Sequence, residues 1–405
     1  MYIIRKVVGM YDFNSILKRR GTKSAKWDNL KKQFGRDDLL PLWIADMDFL
    51  ASPAIMDALE NRVKHGIYGY TYCDDEYYNA VVGWMKRRHN WDINKKWIVF
   101  TPGVVPALSY AIEAFTKPGD NIIVQSPVYH PFYSTIENNE RRIITNPLIY
   151  KNNRYYMDYE DLESKINSKT KLLILCNPHN PVGRVWTKEE LAKLGEICLN
   201  NNIIIISDEI HFDLVYKGNN HTVMANISSE IRDNCIVCTS PSKSFNIAGL
   251  QVSNIIIPND DLREIYNMEL KKHHIGRPNI FGQIALIAAY NELEDWLDSL
   301  IEYLEQNKNF FMDFIERKIP QLKVVEPEGT YLLWVDCSGL GMDSEELRKF
   351  FVDECKLALN HGAMFGEEGK LFQRVNIACP RSILEEALDR MEKAITKYYT
   401  RRNCK

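Results

Sequence analysis

The sequence predicts an α/β fold, with a large domain built on a mainly parallel sheet and a smaller α+β domain after it. Three observations carry this. First, six short apolar runs (97–100, 121–125, 171–176, 202–207, 235–239 and 251–258) alternate with helical segments. Second, the runs are rich in Ile, Val and Leu and nearly continuous, as strands covered on both faces are. Third, the alternation stops near residue 278, where a helical stretch to about residue 316 leads into a shorter mixture of strands and helices.

Taken in order, residues 1–50 lack a clear period and are expected to pack with the C-terminal unit. Residues 51–285 form the large domain, in which the amphipathic stretch 188–200 is a crossover helix between two buried runs. Residues 286–316 read as a long connecting helix and 317–405 as the small domain. Within the latter, 321–336 reads as strands broken by Pro327 and Gly329. A helix at 344–355, a strand at 371–378 and a final helix at 383–399 follow. There is no internal repeat and no low-complexity linker.

Bulk properties exclude some functions. The 405 residues carry a net charge of -3, so no basic excess argues for a nucleic-acid partner. No segment approaches the ~20 apolar residues of a membrane helix. The start, MYIIRKVVGMYDF, is broken by Arg5 and Lys6 and does not read as a signal peptide. A cytoplasmic protein is expected. Nine cysteines, an odd count, argue against a disulfide framework. Cys235 and Cys238 are spaced C-x-x-C but fall in a strand-like run, where residues three apart face opposite sides. They read as core residues, not as a metal or redox pair.

Ligands of open α/β sheets bind beyond the carboxyl ends of the strands. Five runs are followed there by TPGVVPAL (101–108), SPVYHPF (126–132), NPHNPVGR (177–184), DEIHFD (208–213) and SPSKSF (240–245). Each has a plain reading. Gly103 makes a turn, Tyr129 sits in core or rim, Asn180 forms a turn, and Lys243 snorkels to solvent. Asp208, Glu209, His211 and Asp213 suggest a metal cluster, but the spacing matches no common motif and no second histidine lies nearby in sequence. If the strands are parallel, however, all five groups meet in one crevice. Together they fit pyridoxal 5′-phosphate. Lys243 is an amine for a Schiff base, and Asp208 an acid to keep the pyridine nitrogen protonated. Asn180 is a donor to the ring oxygen, and Tyr129 an aromatic face. Phosphate donors come from the helix start at Gly103, Val104 and Val105 and from the hydroxyls of Ser240 and Ser242.

These motifs occur in order with PLWIADMDF (41–49), HGIYGYT (65–71) and FQRVNIACPRS (372–382). On them the chain resembles, over essentially its whole length, the aspartate-aminotransferase fold family of pyridoxal-phosphate enzymes. More closely it resembles the MalY/PatB group of cystathionine β-lyases, or C–S lyases. The resemblance implies that Lys243 is the Schiff-base lysine, Asp208 the partner of the pyridine nitrogen with His211 nearby, and Tyr129 the stacked aromatic. It implies that Arg374 clamps the substrate α-carboxylate, with help from Asn180 and the backbone of Ala45. Tyr70 resembles the tyrosine that reaches the neighbouring subunit's phosphate, which implies a homodimer. One departure from the aminotransferase pattern is Gln251, where those enzymes have an arginine eight residues after the lysine; the lyase group also lacks it. The implied activity is β-elimination from an amino acid with a sulfur leaving group. Transamination with a keto acid is the alternative, and a regulatory binding role a lesser one. A dicarboxylate aminotransferase would usually show a second substrate arginine; Arg36, Arg184, Arg277 and Arg381 are candidates.

Overall fold

The structure is a computed structural model describing residues 11–403. The reading of the first ten residues as something other than a signal peptide lies outside the described residues. All six apolar runs become strands of one seven-stranded sheet. Its spatial order is Ile98–Thr101, Ser253–Ile256, Cys235–Thr239, Ile204–Asp208, Thr170–Cys176, Asn121–Val124, Arg142–Thr145. The seventh strand, Arg142–Thr145, escapes the sequence pattern because it lies at the edge, where its RIIT side chains are only partly covered.

The neighbours from Cys235–Thr239 to Arg142–Thr145 are parallel. Ser253–Ile256 is antiparallel to both strands beside it. Ile98–Thr101 therefore points the same way as the parallel set, and five motif-bearing strands end at one edge of the sheet. Side chains alternate between two buried clusters, one on each face. Leu173, Ile205, Cys235 and Val237 lie on one face; Ile174, Ile206, Ile236 and Cys238 lie on the other. Cys235 and Cys238 are thus on opposite faces, both free thiols.

The crossover helix Lys188–Asn200 starts at a capping box. Glu190 N donates to Thr187 Oγ1 at 3.2 Å, and Thr187 N donates to Glu190 Oε2 at 2.9 Å. It buries Leu191, Leu194 and Cys198 against the sheet, one stripe at helical spacing. Among the described residues no helix is long and apolar enough to cross a membrane.

The C-terminal part holds a four-stranded antiparallel sheet in the order Lys323–Val324, Leu332–Asp336, Phe372–Asn376, Asn360–His361. Part of the N-terminal segment contacts it. Leu40–Pro41 pairs in parallel with Leu357–Ala358, and Asn376 Nδ2 donates to Ile44 O and Asp46 O at 2.6 and 2.7 Å. The helix Ile280–Glu292 ends at Leu293 and the helix Glu294–Lys318 follows it. On the latter, buried Asn307 donates to Ile377 O and Cys379 O at 3.0 and 2.9 Å, which satisfies carbonyls that leave the sheet.

The two sheets are locked together at residues 327–330. Thr330 N donates to Leu214 O at 2.7 Å, Glu328 N to Gly183 O at 2.8 Å, and Arg184 Nε to Glu328 Oε2 at 2.8 Å. Gly329 permits this approach, because a Cβ there would lie 2.8 Å from Leu214 O and 2.9 Å from Val185 Cγ2.

Candidate active site

Asp208 is the last residue of its strand, with Cys176 and Cys238 opposite it on the two neighbouring strands. Its Oδ1 accepts one bond from Ile210 N at 3.1 Å. Burial in these surroundings pushes the carboxyl up to about 7, against the pull of Lys243. Lys243 lies on a one-turn helix, Pro241–Ser244, directly after Cys235–Thr239. Ser240 caps that turn, accepting from Ser242 N at 3.1 Å and donating to Val252 O at 2.7 Å. Lys243 Nζ donates to Ala45 O at 2.6 Å. Burial, then the positive charge of Arg374, brings the amine down to about 8, while Asp46 and Asp208 oppose.

These shifts predict how the cofactor-free protein responds to pH. The folded state favours protonated Asp208, so its contribution is full below the unfolded value near ~3.9 and is lost as pH rises through about 7. The melting-temperature gap between Asp208→Asn and wild type should therefore widen in the variant's favour by a few degrees from pH 5 to pH 8. A gap that stays flat in thermal scans across that range would remove the shift.

The anion end forms where two strands finish on either side of Ser253–Ile256. Register sets Ser253 opposite Thr101 and Asn254 opposite Thr239, which brings the turns after Thr101 and Thr239 to the same edge. Gly103 caps the helix Val104–Phe115, its own carbonyl held by Thr101 Oγ1 at 3.0 Å. The first N–H groups of that helix, on Val104 and Val105, have no acceptor inside it and carry the positive end of its dipole.

At the other end stands Arg374, 3% exposed, on the strand Phe372–Asn376. Nη1 donates to Asn180 Oδ1 at 2.9 Å, and Nη2 donates to Asn360 Oδ1 at 2.6 Å and Trp43 O at 2.9 Å. The Phe365 ring lies 4.9 Å from the guanidinium carbon. Arg374 Nε is buried without a partner, and burial lowers the group to about 10. Because Asn180 accepts through Oδ1, its amide Nδ2 remains as a donor.

Tyr129 and His211 complete the cluster. The Tyr129 phenol is raised by burial and by Asp208, with Arg374 opposing, so it feels both charges. His211 stands edge-on to Tyr331 at 5.8 Å. Its Nδ1 is buried without a partner, and burial with the charges of Lys243 and Arg374 keeps the ring neutral. Ala45 presents its carbonyl to Lys243 and to Tyr331 Oη, the latter at 2.9 Å; only its N–H is left to serve a carboxylate.

The structure does not bring Tyr70 into this cluster. It stands fully exposed on residues 66–74, which lack regular structure, beside exposed Tyr68 and Tyr72. It lines a surface cleft with Phe100, Pro102, Gln251 and Arg277. The four candidate second arginines are engaged elsewhere. Arg36 pairs with Asp38 and Asp353, Arg184 with Glu190 and Glu328, Arg277 donates to Thr71 O, and Arg381 to Asn307 Oδ1.

Sequence reasoning missed Trp43, Tyr331 and Asn360. Trp43 lies inside PLWIADMDF and contributes only its carbonyl, which no side-chain pattern marks. Tyr331 reads as core in GTYLLW, and Asn360 sits on a two-residue strand opposite Arg374. Glu209 and Asp213 pair with His221 at 2.8 Å and His89 at 2.9 Å; His221 follows DEIHFD closely in the chain, whereas His89 is remote from it.

A half-buried lysine and a buried acid at the end of a mainly parallel sheet, faced by an arginine from a second sheet, define the class. Residues 37–391 match the model of the aminotransferase class I and II family, and the chain belongs to that family. Within it, the chain is 45% identical over 386 residues to cystathionine beta-lyase PatB of Bacillus subtilis (strain 168), covering 95% of this chain and 100% of the relative. Protein MalY of Escherichia coli (strain K12) is 35% identical over 389 residues, covering 95% and 99%. The crystal structure of cystalysin from Treponema denticola, which contains a pyridoxal 5′-phosphate cofactor, superposes with a TM-score of 0.93 at 40% identity, covering 96% and 100%.

Proposed function

We propose that the protein is a pyridoxal-phosphate-dependent C–S β-lyase. It cleaves L-cystathionine or related cysteine S-conjugates to pyruvate, ammonia and a thiol. The observation that carries this is the placement of Lys243 and Asp208 at the ends of neighbouring parallel strands, with Lys243 Nζ on Ala45 O and Arg374 reaching over from the second sheet to Asn180. The residues present fit the cofactor. Asp208 has a single hydrogen-bond donor, the helix at Val104 offers unpaired N–H groups, and Arg374 Nε and His211 Nδ1 are buried without partners.

When bound, the cofactor supplies an aldehyde for the substrate amine and an electron-accepting ring beside Cα. The chain's own residues do the rest. Asp208 holds a proton at the ring nitrogen. The Val104 and Val105 amides with the Ser242 hydroxyl would bind the phosphate, while the Ser240 hydroxyl, which donates to Val252 O, holds the turn that carries Ser242. Asn180 Nδ2 donates to the ring oxygen, Tyr129 covers the ring face, and His211 lies beside Asp208. Arg374 binds the α-carboxylate, assisted by Asn180 and the Ala45 N–H, and so aims Cα–H at Lys243. Lys243, with its amine near 8, has a substantial neutral fraction at physiological pH and takes that proton. Loss of a thiolate from Cβ then follows.

Arg36, Arg184 and Arg381 are tied to side chains away from the cluster, which favours elimination over dicarboxylate transamination. The same reading makes the enzyme a cytoplasmic homodimer, in which exposed Tyr70 reaches the neighbouring site. It divides the chain into an N-terminal segment (1–50) packed on the small domain, a large domain (51–285), a connecting stretch (286–316), read from the sequence as one helix but broken at Leu293, and a small domain (317–405). The test is pyruvate release from L-cystathionine with no keto acid added. Pyruvate with equimolar homocysteine is expected. No pyruvate, but turnover once a keto acid is supplied, would make the enzyme an aminotransferase.

A further inference from the structure

Asp213 touches none of the groups assigned above, yet its carboxylate, at 0% exposure, accepts three hydrogen bonds. Oδ1 accepts from Trp84 Nε1 at 3.1 Å and from His89 Nε2 at 2.9 Å. Oδ2 accepts from Ser244 Oγ at 2.5 Å. Trp84 and His89 belong to the helix Asp75–His89. Asp213 follows Asp208 by five residues, and Ser244 is next to Lys243. One carboxylate thus joins the segment of the acid, the turn of the lysine and a long helix behind both.

The lysine turn needs such support. A helix of four residues has almost no stability of its own, since nucleation is costly. Its start is held by the Ser240 cap and its end by Ser244. The anchor is rigid. The His89 ring stacks on Phe212 at 4.2 Å, and Trp84 stacks on Tyr290 at 4.8 Å and meets Phe245 edge-on at 5.5 Å. His221, held by Glu209, stands edge-on to His89 at 5.6 Å.

We infer that Asp213 is a positioning residue, which through Ser244 fixes the Lys243 turn against the helix Asp75–His89 and so sets the lysine's placement relative to Asp208. The kinetic consequence rests on the role proposed for Lys243; the structural one does not.

Ser244→Ala tests this, because it removes one hydroxyl and leaves Asp213 with His89 and Trp84. In the cofactor-free protein, amide hydrogen exchange across residues 240–246 should speed up at least tenfold, while exchange in the helix Asp75–His89 stays unchanged. In the loaded enzyme, kcat for pyruvate release should fall tenfold or more with KM within threefold. Asp213→Ala, which removes the acceptor itself, should repeat the faster exchange across 240–246 and the fall in kcat. Unchanged exchange across 240–246 in both variants, or a wild-type kcat in both, would overturn the inference. If no amino acid is turned over even by the wild-type enzyme, the lyase reading fails, and the exchange result alone decides the positioning role.

Discussion

Lys243→Ala should lose at least ~10³-fold in kcat and still fold, the largest effect expected of any single change. General-base catalysis contributes roughly 10²–10⁴-fold, and the same amine also provides the covalent attachment, so the losses compound. Folding should not suffer. The amine is brought down to about 8, so near neutral pH the folded protein holds the charged form at a cost. The sign follows from linkage. A depressed lysine contributes its full stability above the unfolded value near ~10.4 and loses it as pH falls through about 8. At pH 7 the truncation removes an unfavourable charge along with one hydrogen bond to Ala45 O. The cofactor-free variant should therefore melt no lower than wild type at pH 7. Single-turnover kinetics and a thermal scan check both halves; near-normal kcat would take Lys243 out of the reaction.

Arg374→Ala should lower kcat/KM by roughly 10²–10³-fold, from the cost of truncating one partner of a buried charged pair, about 2–5 kcal/mol. Most of the loss should fall on KM, because the carboxylate is bound before and during the reaction. Arg374→Lys should recover only part of it. A lysine keeps the charge but cannot span Asn180, Asn360 and Trp43 O while forking onto a carboxylate. A second consequence separates Arg374 from a passive packing role. Its charge helps depress the Lys243 amine, so without it the lysine should titrate higher in the cofactor-free protein. The pH dependence of Lys243 acylation, followed by peptide mass spectrometry, reads this directly. An unchanged kcat/KM would mean that another group holds the carboxylate.

The large sheet was legible because strands buried on both faces leave continuous Ile-, Val- and Leu-rich runs. The site was legible because its groups sit at the ends of those runs. Arg142–Thr145 was not, since an edge strand is half covered. The reversed direction of Ser253–Ile256 was also hidden, because a buried strand has the same composition either way. The acids of DEIHFD were legible as a group, but their partners were not. His89 lies 124 residues from Asp213, and no local period encodes such a pairing.

By itself, then, the sequence determined where the buried strands lie, which motif ends each, and so which groups are offered to a common edge. These follow from local periodicity and side-chain chemistry, which act within a few residues. Only the tertiary structure decided which of those groups meet. Arg374 reaches Asn180 across 194 residues and Trp43 O across 331, and Lys243 reaches Ala45 O across 198. Such contacts depend on how the two sheets are locked at Gly329 and how residues 44–46 are held by Asn376 of the second sheet. The burial that shifts Asp208, Lys243 and Arg374 exists only once those surfaces have closed.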